Sequence, residues 1–358
     1  MTTLIPDPKM PKASLDKIYG EVMEPFEERM NFFLNEKIEV NKDSVKEEDK
    51  STVDGLESIL QRFTTVDGTS VLFNNQTSAI MYVDGLEAAG NVKKIIDILI
   101  QAAKDAVHWI MNLINNRVSR IDNRAYRVGL DRKRQGIENK EVNYPAGIRR
   151  LIAPLKVSLD PNWVHAALGD VNTFYNDVIK AYKTLTGSIE KANAPQFDLN
   201  SQIQTTLAGV AGAMHLDREG GDYMTDVLPG NRRLVMEDVV DGNTSQIKLY
   251  FRASTTDVKL VSKTFEPSSF MIDETMNVIK KIISNIRSNQ STVSQLYRTF
   301  EKAVRAYESN NEITLNAQQR EYLNWLIRFN KKLMTMTLQY VLNALDAGLD
   351  FVHAGTAK

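Results

Sequence analysis

The chain contains no cysteine. That excludes disulfides, thiolate nucleophiles, iron–sulfur clusters and thiolate zinc sites. Histidine is nearly as scarce: His108, His165, His215 and His353 are the only four, and no two stand at the spacing of a local metal motif. An excess of one charge is missing too. The 44 Lys and Arg face 45 Asp and Glu, for a net charge of −1. Nothing global therefore draws the chain to nucleic acid or anionic lipid, and an electrostatic partner must be recruited by a local patch. There is no long apolar run. The greasiest segment, from Val92, is broken by Lys93, Lys94, Asp97, Lys104, Asp105 and His108, so it falls short of the ~20 apolar residues that span a bilayer. The opening MTTLIPDPKMPKAS lacks the basic start and continuous apolar core of a secretory signal. An intracellular chain without a transmembrane segment is the expectation.

Proline is limited to 10 residues in 358, which leaves room for long helices. Hydrophobic spacing predicts a mainly α protein, a long-helix bundle with a small antiparallel β insertion. Residues 1–50 read as an arm, with Pro6, Pro8 and Pro11, followed by a helix from Ser14 that carries Leu15, Ile18, Tyr19, Val22 and Phe26 at helical steps. Residues 51–215 read as a central helical body. It includes one long helix from Val92 to about Arg127, a second from about Pro161 to Lys191, and a third over Leu199–Leu216. Residues 216–265 read as the insertion. Strands are expected at Arg233–Met236, Gln246–Arg252 and Val258–Lys263, with DREGGDYMTDVLPGN as a loop before them. Residues 266–358 read as a C-terminal helical hairpin, Ile272–Tyr307 and Thr314–Val352, joined by the short polar SNNEIT, with HAGTAK as a fraying tail.

The helix from Val92 carries the sharpest signal. Its first half is apolar on a broad face (Ile95, Ile96, Leu99, Ala103, Val107, Ile110, Ile114), which fits a core helix buried by more than one neighbour. A membrane-surface helix needs a Lys- and Arg-rich polar face, and Asp97 and Asp105 dilute it. Beyond Asn116 the chain turns basic: Arg117, Arg120, Arg124, Arg127, Arg132, Lys133 and Arg134, interrupted by Asp122 and Asp131. The first four arginines follow three- and four-residue steps and share one helix face. Cations near a helix C-terminus complement its dipole. The functional alternative is contact with successive phosphates, or with an acidic partner. Arg149-Arg150 and Arg232-Arg233 are weaker basic pairs.

No catalytic residue is expected. HExxH, the GxxxxGK phosphate loop and GxSxG are all absent. His215, with Asp217 and Glu219 close by, is the best acid–base or metal candidate, but the run lacks the alternating oxygen ligands of a calcium loop. Neither a metal nor a cofactor is predicted.

Long helices, the asparagine pairs Asn74-Asn75, Asn115-Asn116 and Asn310-Asn311, and the absence of an enzyme signature make the chain resemble structural proteins of large tailed bacteriophages. Prohead proteases of some such phages cleave after a small residue, any residue and Glu. Gly55-Leu56-Glu57 and Gly85-Leu86-Glu87 look like that pattern, as do Ser188-Ile189-Glu190 and Ala306-Tyr307-Glu308 inside expected helices. The resemblance implies a multimerising virion or head-assembly component, found in the virion or in the host cytoplasm before assembly. Its partners would be further copies or other virion proteins, with processing at Glu57 and Glu87 and weak nucleic-acid contact. A host-directed or nucleic-acid-contacting helical binding module is the alternative, and an enzyme with dispersed residues a third.

Overall fold

The computed structural model describes residues 92–153, 162–193, 197–237, 247–255, 258, 260, 262–309 and 316–357. The expected N-terminal arm and helix, and Glu57 and Glu87, lie outside the described residues.

The predicted class holds: the protein is mainly α with a small antiparallel β insertion. Helix α1 (Val92–Leu113) runs through a π-helical turn (Ile114–Val118) directly into α2 (Ser119–Gln135). The single predicted helix is thus longer than expected and carries one wide turn, a feature that re-aims the face behind it. Ile114, Val118, Ile121, Ala125 and Val128 continue the buried stripe at three- and four-residue steps. Gly136, at φ 82, ends α2 in a conformation that only glycine adopts without strain.

A 3-10 turn (Ala146–Arg150) precedes α3 (Trp163–Glu190), and α4 (Leu199–Ala213) follows. Asp198 caps α4 by accepting the Ser201 N–H at 2.8 Å. Helices α5 (Ser269–Ser288), α6 (Gln290–Ser309) and α7 (Ala317–Ala354) close the chain. Ile272–Tyr307 is therefore two helices, not one. The break falls at Asn289, whose amide donates to the Asn285 carbonyl and side chain. Beyond it α6 packs on α1 and α3, not along α7, so the expected C-terminal helical hairpin does not form.

Helix α7 is the axis of the bundle. It spans 38 residues, about 57 Å, and packs against α1, α2, α3 and α5. Its start is set by a capping box, Asn316 with Gln319. Tyr322, Trp325 and Phe329 stack along one side with ring centroids 6.1 and 5.1 Å apart. Gly348 lets neighbours close in: a Cβ there would stand 2.9 Å from Leu168 and 3.1 Å from Ile279.

The insertion differs from its expectation in detail. The predicted loop at Asp217 is a hairpin, β2 (Asp217–Glu219) and β3 (Asp222–Met224), turned by Gly220 and Gly221 at φ 62 and 102. Two glycines with positive φ are what a two-residue hairpin needs. With β4 (Arg232–Met236) and β5 (Leu249–Ala253) they form an antiparallel sheet in the order β2-β3-β4-β5. The strand expected at Val258–Lys263 is absent among its described residues. Thr264–Phe265 (β6) pairs instead with Val142–Asn143 (β1), in a separate two-stranded sheet. Leu234, Met236 and Leu249 carry the larger sheet into the main core.

One further expectation fails. The tail does not fray: Thr356 is buried, Glu138 N–H donates to the Gly355 carbonyl at 3.1 Å, and Ala357 N–H to Gly136 at 3.3 Å. Among the described residues only Tyr126 and Phe270 stand out as exposed large hydrophobic side chains. No described helix is long and apolar enough to cross a membrane.

Candidate nucleic-acid interface

Helix α2 lies between α7 and α5, and ion pairs hold it on both flanks. On the α7 flank Arg124 grips Asp346 (2.9 Å) and, more closely, Asp350. Burial works against the Arg124 charge, yet Asp350 and Asp346 outweigh it and hold the guanidinium above its usual range. On the α5 flank Arg132 meets Asp273 at 3.2 Å, and Asp122 accepts from Arg287 at 2.8 Å. Two of the seven predicted cations are thus committed to the fold, because three-residue and four-residue steps also carry side chains round to the seam with a neighbouring helix. Arg117 lies in the π-turn, half-buried and engaged.

The remaining four face outward. Arg120, Arg127, Lys133 and Arg134 are exposed, and none forms an ion pair with a described residue. Arg120, Arg127 and Arg134 stand seven residues apart, which on an α-helix is about 10.5 Å along the axis with little rotation. They form one row. Tyr126 and Lys133, each one residue earlier, form a second row beside it. Tyr126 is 67% exposed. The Ala146–Arg150 turn adds exposed Arg149 and Arg150 near the same end of α7, since a Cβ on Gly147 would stand 2.9 Å from Asp350, the carboxylate Arg124 holds.

Of the other candidates, Glu219 pairs with Arg233 at 2.9 Å, inside the sheet. His215 takes a positive φ of 55 at the α4 exit. Among the described residues no His, Asp and Glu gather into a group that could hold a metal. Arg232 lies beside the stacked Phe251 and Tyr340 rings, 5.9 and 6.0 Å from their centroids, as a packing residue.

Sequence reasoning missed the cations of α7. Arg328, Lys331 and Lys332 interrupt its apolar pattern on the buried side. Lys331 Nζ sits 5.2 Å from the Trp109 ring centre, and loss of hydration pushes its pKa down to about 7, against the pull of Asp105. Lys332 donates to the Ile247 carbonyl at 2.7 Å, and burial with Arg328 nearby takes it to about 8. The signal was Lys331-Lys332 inside an otherwise core-like helix.

Comparison of the chain with models of known families, with curated proteins and with solved structures finds no match.

Proposed function

We propose that the protein is a helical module that contacts nucleic acid through the outer face of α2, and that it works in many copies as a virion or head-assembly component of the kind its sequence resembles. The observation that carries the reading is the set of four exposed cations, Arg120, Arg127, Lys133 and Arg134, left over after the fold has used Arg124 and Arg132. In a chain of net charge −1, a local excess of this kind serves a local anion. Four phosphate contacts give weak, sequence-independent binding; an array of copies along one nucleic acid multiplies it through effective concentration.

The test is a salt titration of DNA binding by the full chain and by the Arg120→Gln, Arg127→Gln, Arg134→Gln triple variant. Affinity should fall with salt with a log–log slope of about −3.5 on duplex DNA, and the variant should lose most of that slope. Salt-insensitive binding, or a variant equal to the parent, would sink the reading. Binding to polyglutamate but not to DNA would assign the face to an acidic protein instead. Light scattering across a concentration series tests the multimer: a monomer at every concentration overturns that half.

A further inference from the structure

We propose that the nucleic acid taken by the α2 face is single-stranded, with Tyr126 stacking on an unpaired base while Arg120, Arg127 and Arg134 hold the phosphates beside it. This rests on the nucleic-acid reading above and narrows it.

The first ground is Tyr126 itself. Among the described residues Tyr126 and Phe270 are the large apolar side chains left exposed, and Tyr126, at 67%, stands on the cationic outer face of α2. No ring or cation contact engages it among the described residues. An exposed tyrosine presents a flat π-face and loses little conformational freedom on binding, which suits it to stack on a base of any identity. Its neighbours are the right ones: Arg127 follows it directly, and Lys133 is one heptad on in the same row.

The second ground is how α2 is seated. Reading a duplex in the major groove requires a helix that stands clear of its own protein. Here ion pairs reach over both flanks, from Asp346 and Asp350 on α7 and from Arg287 and Asp273 on α5. The helix is thus a strip in a helical layer and presents a shallow surface. Against a duplex such a surface meets only backbone, and the Tyr126 ring finds no base face, because paired bases are stacked on each other. Along a single strand every base offers a face, and a cationic row beside a ring matches phosphate and base at once.

The experiment is fluorescence anisotropy with the full chain, using labelled oligothymidine and a duplex of equal length at one salt concentration. Parent, Tyr126→Ala, Tyr126→Phe and the triple arginine variant are compared, each checked for folding by circular dichroism. The single strand should bind tighter than the duplex. Tyr126→Ala should lose about five- to a hundredfold in single-strand affinity, the span of one lost base stack. The salt slope and the duplex affinity should stay as they were, and Tyr126→Phe should bind as the parent does. Quenching of tyrosine fluorescence by the oligonucleotide should vanish in Tyr126→Phe. Equal affinity for both forms, with Tyr126→Ala unchanged, overturns the single-strand assignment. If the arginine variant still fails to bind in that outcome, the nucleic-acid reading itself stands. No binding to either form overturns both.

Discussion

Helices α2 and α7 lie side by side, α2 being much the more polar in sequence, and they do opposite work. Along α7, neighbours cover nearly every direction: Tyr322, Trp325, Phe329, Leu345 and Phe351 are buried, and so are Asn324, Asn330, Thr335 and Thr337. Its cations at Lys331 and Lys332 are drawn in with the rest and held with depressed pKa values. Along α2 one stripe is buried, Ile121, Ala125 and Val128, and Arg120, Arg127, Lys133 and Arg134 on the outer face are exposed. A helix closed in on most sides can only stabilise. A helix with one open face has side chains to spare, and that is where binding chemistry is available.

The contrast is breakable. Leu345→Ala, in the fully buried run of α7, should cost about 2–5 kcal/mol in chemical denaturation, the range for a cavity in a packed core. A loss near zero would mean α7 is not the axis of stability. Next is the pH dependence that α7 imposes. From about pH 7 to 10 the unfolded chain keeps protons on Lys331 and Lys332 that the folded chain has given up. The unfolded state binds more protons there, so stability should rise with pH across that window. Above about 10 the sign reverses. Burial raises the pKa of Tyr175, Tyr182 and Tyr340, so the folded chain then holds the extra protons and stability should fall. Urea titrations at several pH values check both limbs, and Lys331→Met should flatten the first.

Arg124→Ala probes the seam between the two helices. It leaves Asp346 and Asp350 one turn apart without their shared cation; both sit partly in solvent, so a loss of about 1 kcal/mol that shrinks with salt is expected. Smallest is the outer face. Arg120→Gln, Arg127→Gln and Arg134→Gln should each change stability by less than about 0.5 kcal/mol. A large loss at any of them would make that arginine structural and reduce the binding face accordingly.

Much of this was legible in the residues. The starts of α1 and α4, the bulk of α3 and α7, and the place of the β insertion follow from hydrophobic periods, whereas the caps Asp198 and Asn316 emerged only with the structure. The β2–β3 hairpin was missed although Gly220-Gly221 announced it, because the strands beside it are only three residues long and mostly polar. The break at Asn289 was hidden because Ile286 and Val293 continue a plausible apolar spacing across it. The anchored tail was unreadable for another reason: its partners, Gly136 and Glu138, are more than two hundred residues away in sequence.

The local pattern by itself determined that α2 is a helix with a buried stripe and a cationic side, since both follow from residue spacing on a 3.6-residue repeat. It could not sort the seven cations. Arg124 and Arg127 are three residues apart with identical chemistry, and among the described residues one is paired while the other is exposed without an ion pair. That choice was made by the carboxylates of Asp346 and Asp350, delivered more than two hundred residues later by the packing of α7. Charge pairing over such a separation depends on which helix lies alongside, and only the tertiary structure decides that.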